Sequence, residues 1–337
     1  MPRRLFAPLT GLLALIVALA ACGAAAPASA PAAGKPAEIR LDYAYYNPSS
    51  LVLRKFGWLE EDLAADGVAV TWTLSAGSNK ANEYLRSNAV DFGSTAGAAA
   101  LLARANEAPI QTVYVYSQPE WTALVVARDS PVTSVADLRG KKIAATKGTD
   151  PYFFLLRSLS EAGLSTSEVE IINLQHADGK VALERGEVDA WAGLDPHMAQ
   201  TELEQGSRLI YRNPGFNSYG FLNARTAFLE AHPAYTTRVL AAYERARQWI
   251  LANPEEAAQI LADEAKLSLE VARLELFERT ALDISPVPGQ EQAAVLRAII
   301  PIFVAEGQVK PGADVEAALN SLFAPQFIAE VANVAQQ

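Results

Sequence analysis

Apolar and polar residues alternate over 39–45, where Ile39, Leu41, Tyr43 and Tyr45 stand against Arg40, Asp42 and Ala44. This period of two predicts a strand with one buried face. Asn47, Pro48, Ser49 and Ser50 follow, capping residues around a proline, and open a helical stretch that the pattern carries to a stop at Gly67. A strand over 68–74 comes next, then a helix opened by Ala76, Gly77, Ser78 and Asn79. A short strand over 90–93 runs into Ser94-Thr95-Ala96-Gly97 and a third helix, and a strand over 112–116 completes the set. The β-α-β-α-β-α-β order argues for an α/β sheet covered on both faces, and such sheets place ligands at the carboxyl ends of their strands.

The run KKIAATKGTDPYFFLLRSLSEAG over 141–163 shows the repeating unit most compactly. Ile143, Ala144 and Ala145 form a buried strand. Gly148 permits a sharp turn, and Asp150-Pro151 reads as an N-cap and first helical residue. Tyr152, Leu155, Leu156, Leu159 and Ala162 then recur at helical spacing until Gly163. Around this unit lie strands over 123–127, 169–174, 189–192, 207–211 and 218–223 and a helix over 177–185. Ser134 and Asp137 have capping-box spacing, and Asp195-Pro196 makes a second Asp-Pro start. From 227 onward the pattern is helical: 233–252 with Val239, Leu240, Tyr243, Ala246 and Ile250 on one face, then starts at Asn253 and Ser268, then one helix over 290–306. A tail without strands has to pack on a sheet already made, so the chain is expected to return to the first set through two crossovers.

The 337 residues suggest two domains of about 150 residues each. The first 23 stand apart, with Arg3 and Arg4 before an apolar run over 12–20 that is too short to span a bilayer, then small residues: an export signal. Its end, Leu19-Ala20-Ala21-Cys22, resembles the bacterial lipobox, which implies lipidation at Cys22, the single cysteine of the chain. With no second cysteine there is no intramolecular disulfide. Residues 24–36 are a Pro/Ala/Ser tether with nothing to pack. Net charge is 28 − 38 = −10, and −12 once residues 1–21 and their two arginines are removed. An acidic chain without basic clusters excludes a nucleic-acid partner and leaves local dipoles to hold any anionic ligand.

Four stretches carry a resemblance to a known family: VDFGSTAGAA (90–99), DSPVTSVADLRGKKIAATKGTDPYFFLLRSLSEAGL (129–164), GEVDAWAGLDPHMA (186–199) and AHPAY (231–235). They resemble the extracytoplasmic substrate-binding proteins of ABC importers, in the group that handles aliphatic sulfonates, taurine and nitrate. The resemblance implies an α/β type II periplasmic-binding-protein fold, two lobes joined by two crossover strands and closing on a small molecule. The division it implies is a lipoprotein signal over 1–21, a disordered tether over 22–37, lobe 1 from 38–121 and 220–337, and lobe 2 from 122–219. It further implies export, a lipid anchor to the membrane at the periplasm or outer cell face, a monomer, and delivery to a membrane permease and its ATPase. Two departures from the family pattern stand out: Ala96-Gly97 near the third helix start, and Asp150 where a neutral Ser or Thr is common.

Five helix starts are expected at one cleft: 47–50, 78–79, 95–97, 148–150 and 195–197. A sulfonate suits a ring of neutral donors, so Thr95 and Thr149 lead, with Asn47, Ser78 and Ala96 beside them. Asp150 and Asp195 read as caps; facing the cleft they would favour a ligand with an ammonium or polar N–H, an aminosulfonate or a nitrogen heterocycle. Tyr45, Tyr46, Trp121, Trp191 and Tyr219 are candidates for apolar walls, Trp121 and Tyr219 foremost because they flank the crossovers. His176, His197 and His232 lack metal-ligand spacing, and neither a nucleophile elbow nor a phosphate loop is present in the sequence. The expectation is a binding protein with no cofactor, no metal and no catalytic residues; a pyrimidine-type ligand is the alternative, and an enzyme on this scaffold a more remote one.

Overall fold

The computed structural model of the protein describes residues 34–334. The leader, Cys22 and most of the tether lie outside the described residues. The end of the tether is not loose, contrary to expectation. Gly34 donates to the Ala231 carbonyl at 3.1 Å, its own carbonyl meets His232 Nδ1 at 2.6 Å, and Lys35 Nζ donates to the Asp66 carbonyl at 2.6 Å.

In chain order the strands are β1 (Glu38–Tyr43), β2 (Ala69–Leu74), β3 (Phe92–Ala96), β4 (Ile110–Pro119), β5 (Leu124–Val126) and β6 (Lys142–Ala145). They continue as β7 (Glu170–Asn173), β8 (Ala190–Ala192), β9 (Arg208–Tyr211), β10 (Gly220–Arg225) and β11 (Thr280–Ala281). Among the described residues they form two sheets, ordered β11-β4-β10-β3-β1-β2 and β7-β6-β8-β5-β9. In the first, β1 runs parallel with β2 and β3, and β10 lies antiparallel between β3 and β4. In the second, β6 runs parallel with β7 and β8, and β5 antiparallel to β8 and β9. The chain passes from one sheet to the other between Pro119 and Leu124 and returns between Tyr211 and Gly220. Helix starts therefore follow the carboxyl ends of β2, β3, β6, β7 and β8.

The tail helix Pro233–Ala252 lies on the first sheet as its pattern predicts: Val239, Leu240, Tyr243 and Ala246 are fully buried, and the Tyr243 ring sits 6.0 Å from that of Tyr114 on β4. Burying such a face supplies most of a helix's stability in a protein.

Several local expectations are corrected. The first helical stretch is two helices, Pro48–Phe56 and Trp58–Ala64, because Gly57 at φ 64° takes the left-handed conformation that ends a helix. The helix expected over 290–306 is also two, Gln290–Arg297 and Ile300–Ala305. Pro301 has no N–H to give and its ring clashes with the carbonyl at Arg297, so the first helix ends there. The tail does contain a short strand, β11, on the edge of the first sheet. Nor is the tail confined to that sheet: buried Phe303 packs its ring 4.8 Å from Phe153, and Glu306 accepts from Thr166 Oγ1 at 3.1 Å, both partners belonging to the second set.

Candidate functional site

Where the parallel strands of the two sheets end, their helix starts face each other across two adjoining hollows. The narrower is lined by Ser78, Ala96, Thr149, Asp150 and Trp121; the larger, of about 230 Å³, by Tyr45, Ser75, Gln175, Asp195 and His197. Tyr46 and Leu194 line both. Among the described residues, neither Lys nor Arg lines either hollow. The first amides of a helix lack intrahelical partners and sit at the positive end of its dipole, so this arrangement attracts an anion without a counter-charge.

Each residue of the narrow hollow is fixed by its backbone neighbours. Gly148, at φ 79°, turns the chain so that Thr149 takes the N-cap position of helix Asp150–Glu161, with Pro151 in its first turn. Thr149 Oγ1 donates to the Thr146 carbonyl at 2.6 Å, which braces the turn. Ser78 Oγ accepts from the Ala96 amide at 2.9 Å and ties the helix start after β2 to the end of β3. Trp121 meets Tyr46 edge to face at 6.0 Å, forming an aromatic wall at the first crossover.

Asp150 is not the cap that its place before proline suggests. It is the first helical residue, and its carboxylate turns away from its own helix. Oδ2 accepts from Trp121 Nε1 at 3.1 Å and from the Ser218 amide at 2.8 Å, and Ser218 Oγ shares its hydrogen between Oδ1 and Oδ2. Burial pushes this carboxyl up to about 6, against the pull of its hydrogen bonds. Asp195 stands one residue before the N-cap, which is Pro196 across a cis bond, and from there its Oδ1 accepts from the Ala199 amide in the first turn at 2.8 Å. It also pairs with buried Arg279 at 3.2 Å, and Arg279 in turn bonds Glu202. Burial raises Asp195 to about 6 although Arg279 opposes it, and burial beside Asp195 raises Glu275 well above the carboxylate range.

Other expected residues lie elsewhere. Thr95 Oγ1 donates to the Ala96 carbonyl and accepts from Asn223 Nδ2 at 2.7 Å, fully buried within the sheet. Asn47 accepts from the Ser50 amide and donates to Ser94 Oγ at 2.8 Å, part of a buried network on Asp42. Tyr219 gives its hydroxyl to Glu291 at 2.6 Å, and Trp191 is fully buried in the second lobe's core. None of these four lines either hollow.

Gly77 and His176, named in the sequence as a helix opening and as an unligated histidine, were not expected at the cleft. His176 begins helix His176–Glu184 after β7 and is buried. Its Nδ1 lies 3.1 Å from Thr146 Oγ1, which already donates to the Leu174 carbonyl at 2.6 Å. The ring is therefore the donor at Nδ1, and Nε2 is a bare acceptor with no partner among the described residues. Burial, with His197 nearby, brings His176 down to about 3, and burial and Lys180 bring His197 to about 4, so both are neutral. Across the gap, a Cβ on Gly77 would come within 2.9 Å of His176 Nε2. The backbone at Gly77 is extended, so glycine serves there as space for the opposite lobe. Gln175-His176 shortly after β7 was the available clue, the N-cap and first helical residue that Thr149 and Asp150 are after β6.

Two α/β lobes joined by two crossovers, with opposed helix starts around a solute-sized gap, are the periplasmic-binding-protein fold. Within it the chain belongs to the NMT1/THI5-like family, whose profile matches residues 57–257. The alkanesulfonate-binding protein SsuA from Xanthomonas axonopodis pv. citri, solved bound to MOPS, superposes with a TM-score of 0.77 at 25% identity, covering 85% of this chain and 99% of that one. The periplasmic aliphatic sulphonate binding protein SsuA from Escherichia coli gives 0.73 at 26% identity, covering 86% and 93%. A desulfurization enzyme, DSZB, shares the fold alone, at 0.66 and 14% identity over 89% of this chain and all of that one.

Proposed function

We propose that this chain is the exported solute-binding component of an ABC importer, capturing a small organic sulfonate between its lobes and handing it to a membrane permease. One observation carries the reading: helix starts from both sheets converge on hollows lined by Ser78, Thr149, Gln175 and aromatic walls, with no cation among the lining residues. A sulfonate keeps its charge across the physiological range and accepts hydrogen bonds in three directions, which the unpaired amides of these helix starts satisfy together with the Ser78 hydroxyl hydrogen. The names carried by the two SsuA structures support the same ligand class.

The site residues in this reading are Tyr45, Tyr46, Ser78, Ala96, Trp121, Thr149, Asp150 and Asp195, joined by Gln175 and His176. Ligand held by one lobe draws the other onto it, a hinge-type shift of population. Residues 1–21 act as the leader and Cys22 as the lipidated first residue of the mature, monomeric protein, with lobes over 38–121 plus 220–337 and 122–219. Thermal-shift and calorimetric titration of the purified protein against alkanesulfonates, aminosulfonates, nitrate and pyrimidines tests the ligand class, since a ligand that binds only the folded state raises its melting point. A rise with pyrimidines and none with sulfonates would overturn the reading. Cys22→Ser should release the protein from membranes; retention would remove the lipid anchor.

A further inference from the structure

Asp150 is a buried carboxylate at one of the helix starts proposed above to hold the sulfonate. It lines the narrow hollow with Ser78, Ala96 and Thr149, at the start of a twelve-residue helix, and is 3% exposed. No cation among the described residues pairs with it. Its partners are Trp121 Nε1 and Ser218, and Oδ1 receives only a share of the single Ser218 hydroxyl hydrogen. A carboxylate can accept about four hydrogen bonds, so Oδ1 has capacity for another donor. Arg157 on the same helix acts on this charge, its guanidinium stacked over Phe216 at 3.8 Å and reaching toward the Gly215 carbonyl. From β4 the Tyr116 phenol faces it, and the adjoining hollow adds Asp195, held by Arg279, with His197 and His176 neutral. A bare sulfonate entering here meets a second negative charge.

Resting on the binding function proposed above, we infer that Asp150 sets ligand selectivity: it favours a sulfonate carrying its own ammonium group, a zwitterionic aminosulfonate, over a plain alkanesulfonate. The ammonium takes the open acceptor position on Asp150 while the helix starts hold the sulfonate. A plain alkanesulfonate takes up a proton on binding. At about 5 Å and an effective dielectric of about 20, its charge raises the Asp150 carboxyl by about two further pH units, giving uptake of about 0.8 proton per ligand at pH 7. Its affinity then falls about 25-fold between pH 6 and pH 8, because the protonated carboxyl it needs is lost as pH rises.

The test is calorimetric titration of the full chain and of Asp150→Asn with 2-aminoethanesulfonate and propanesulfonate at pH 6, 7 and 8, in two buffers of different ionisation enthalpy. For the unaltered protein the expected result is aminosulfonate affinity constant within about twofold across this range, and propanesulfonate showing the fall and the proton uptake. In Asp150→Asn, whose amide oxygen still accepts from Ser218, propanesulfonate should bind at least about tenfold tighter at pH 8 and lose its pH slope. Propanesulfonate binding the unaltered protein as tightly as the aminosulfonate at pH 8, without proton uptake, would overturn the inference whether or not the variant folds. Binding of neither sulfonate would overturn the proposed function, and this inference with it.

Discussion

Replacing Gly77 with alanine separates closure from folding. The added Cβ would lie 2.9 Å from His176 Nε2 and 3.0 Å from its Cδ2, and 2.9 Å from Asn79 Oδ1. Asn79 is partly exposed and can turn aside. His176 cannot: it is 1% exposed, pinned by Thr146, and belongs to the opposite sheet. Ordinary carbon–nitrogen contact needs about 3.5 Å, so the lobes must stay roughly half an ångström further apart at this point. Overpacking of this order costs about 1–3 kcal/mol, and only the closed form bears it. The dissociation constant for a sulfonate should therefore rise about 5- to 150-fold. Calorimetry measures it, with the melting temperature of the ligand-free protein as the companion reading, expected to move little because opening relieves the clash. Gly67→Ala is the control: its φ of 65° strains any side chain but nothing lies within 4 Å, so stability should drop without a change in affinity. Gly77→Ala combined with His176→Ala should recover part of the loss. An unchanged dissociation constant in Gly77→Ala would refute the close approach as a condition for binding.

Arg279→Met leaves Asp195 and Glu275 buried without their cation and should cost about 3–5 kcal/mol of stability by denaturant titration at pH 8. Both carboxyls sit above their ordinary values, so the neutral forms return as pH falls and the deficit should shrink at pH 5; a deficit equal at both would disprove the assignment. Thr149→Val removes the hydroxyl that braces the turn on Thr146 and should lower stability by about 1 kcal/mol in denaturant titration, whereas Thr149→Ser should not.

The unit of strand, turn and helix over 141–163 was readable because three features agree there: apolar strand residues, Gly148 at the turn and a helical apolar face ending at a glycine. The face of Pro233–Ala252 was readable for the same reason. Breaks inside continuous apolar patterns were harder to see. At Gly57 and Pro301 the hydrophobic period continues while the backbone does not, and backbone chemistry decides. Within the site, Ser78, Thr149, Trp121, Tyr45 and Tyr46 could be chosen by residue type at a helix start or strand end, and they do meet. Thr95 and Asn47 satisfy the same local rule and face the sheet, because which side of a strand end meets the gap depends on pairing with β10 and on Asp42, both distant in sequence. The cation on Asp195 comes from residue 279, and the surface opposite Gly77 from residue 176; no local pattern carries either.

The lack of lysine and arginine among the described residues around the hollows, in a chain whose full sequence carries −10, reverses the usual response of anion capture to ionic strength. Where a basic pocket draws its anion in, added salt slows the encounter. Here the far field repels the solute and the attraction begins only within the gap, so salt should quicken association while leaving dissociation almost untouched. A receptor built this way captures best in a saline medium.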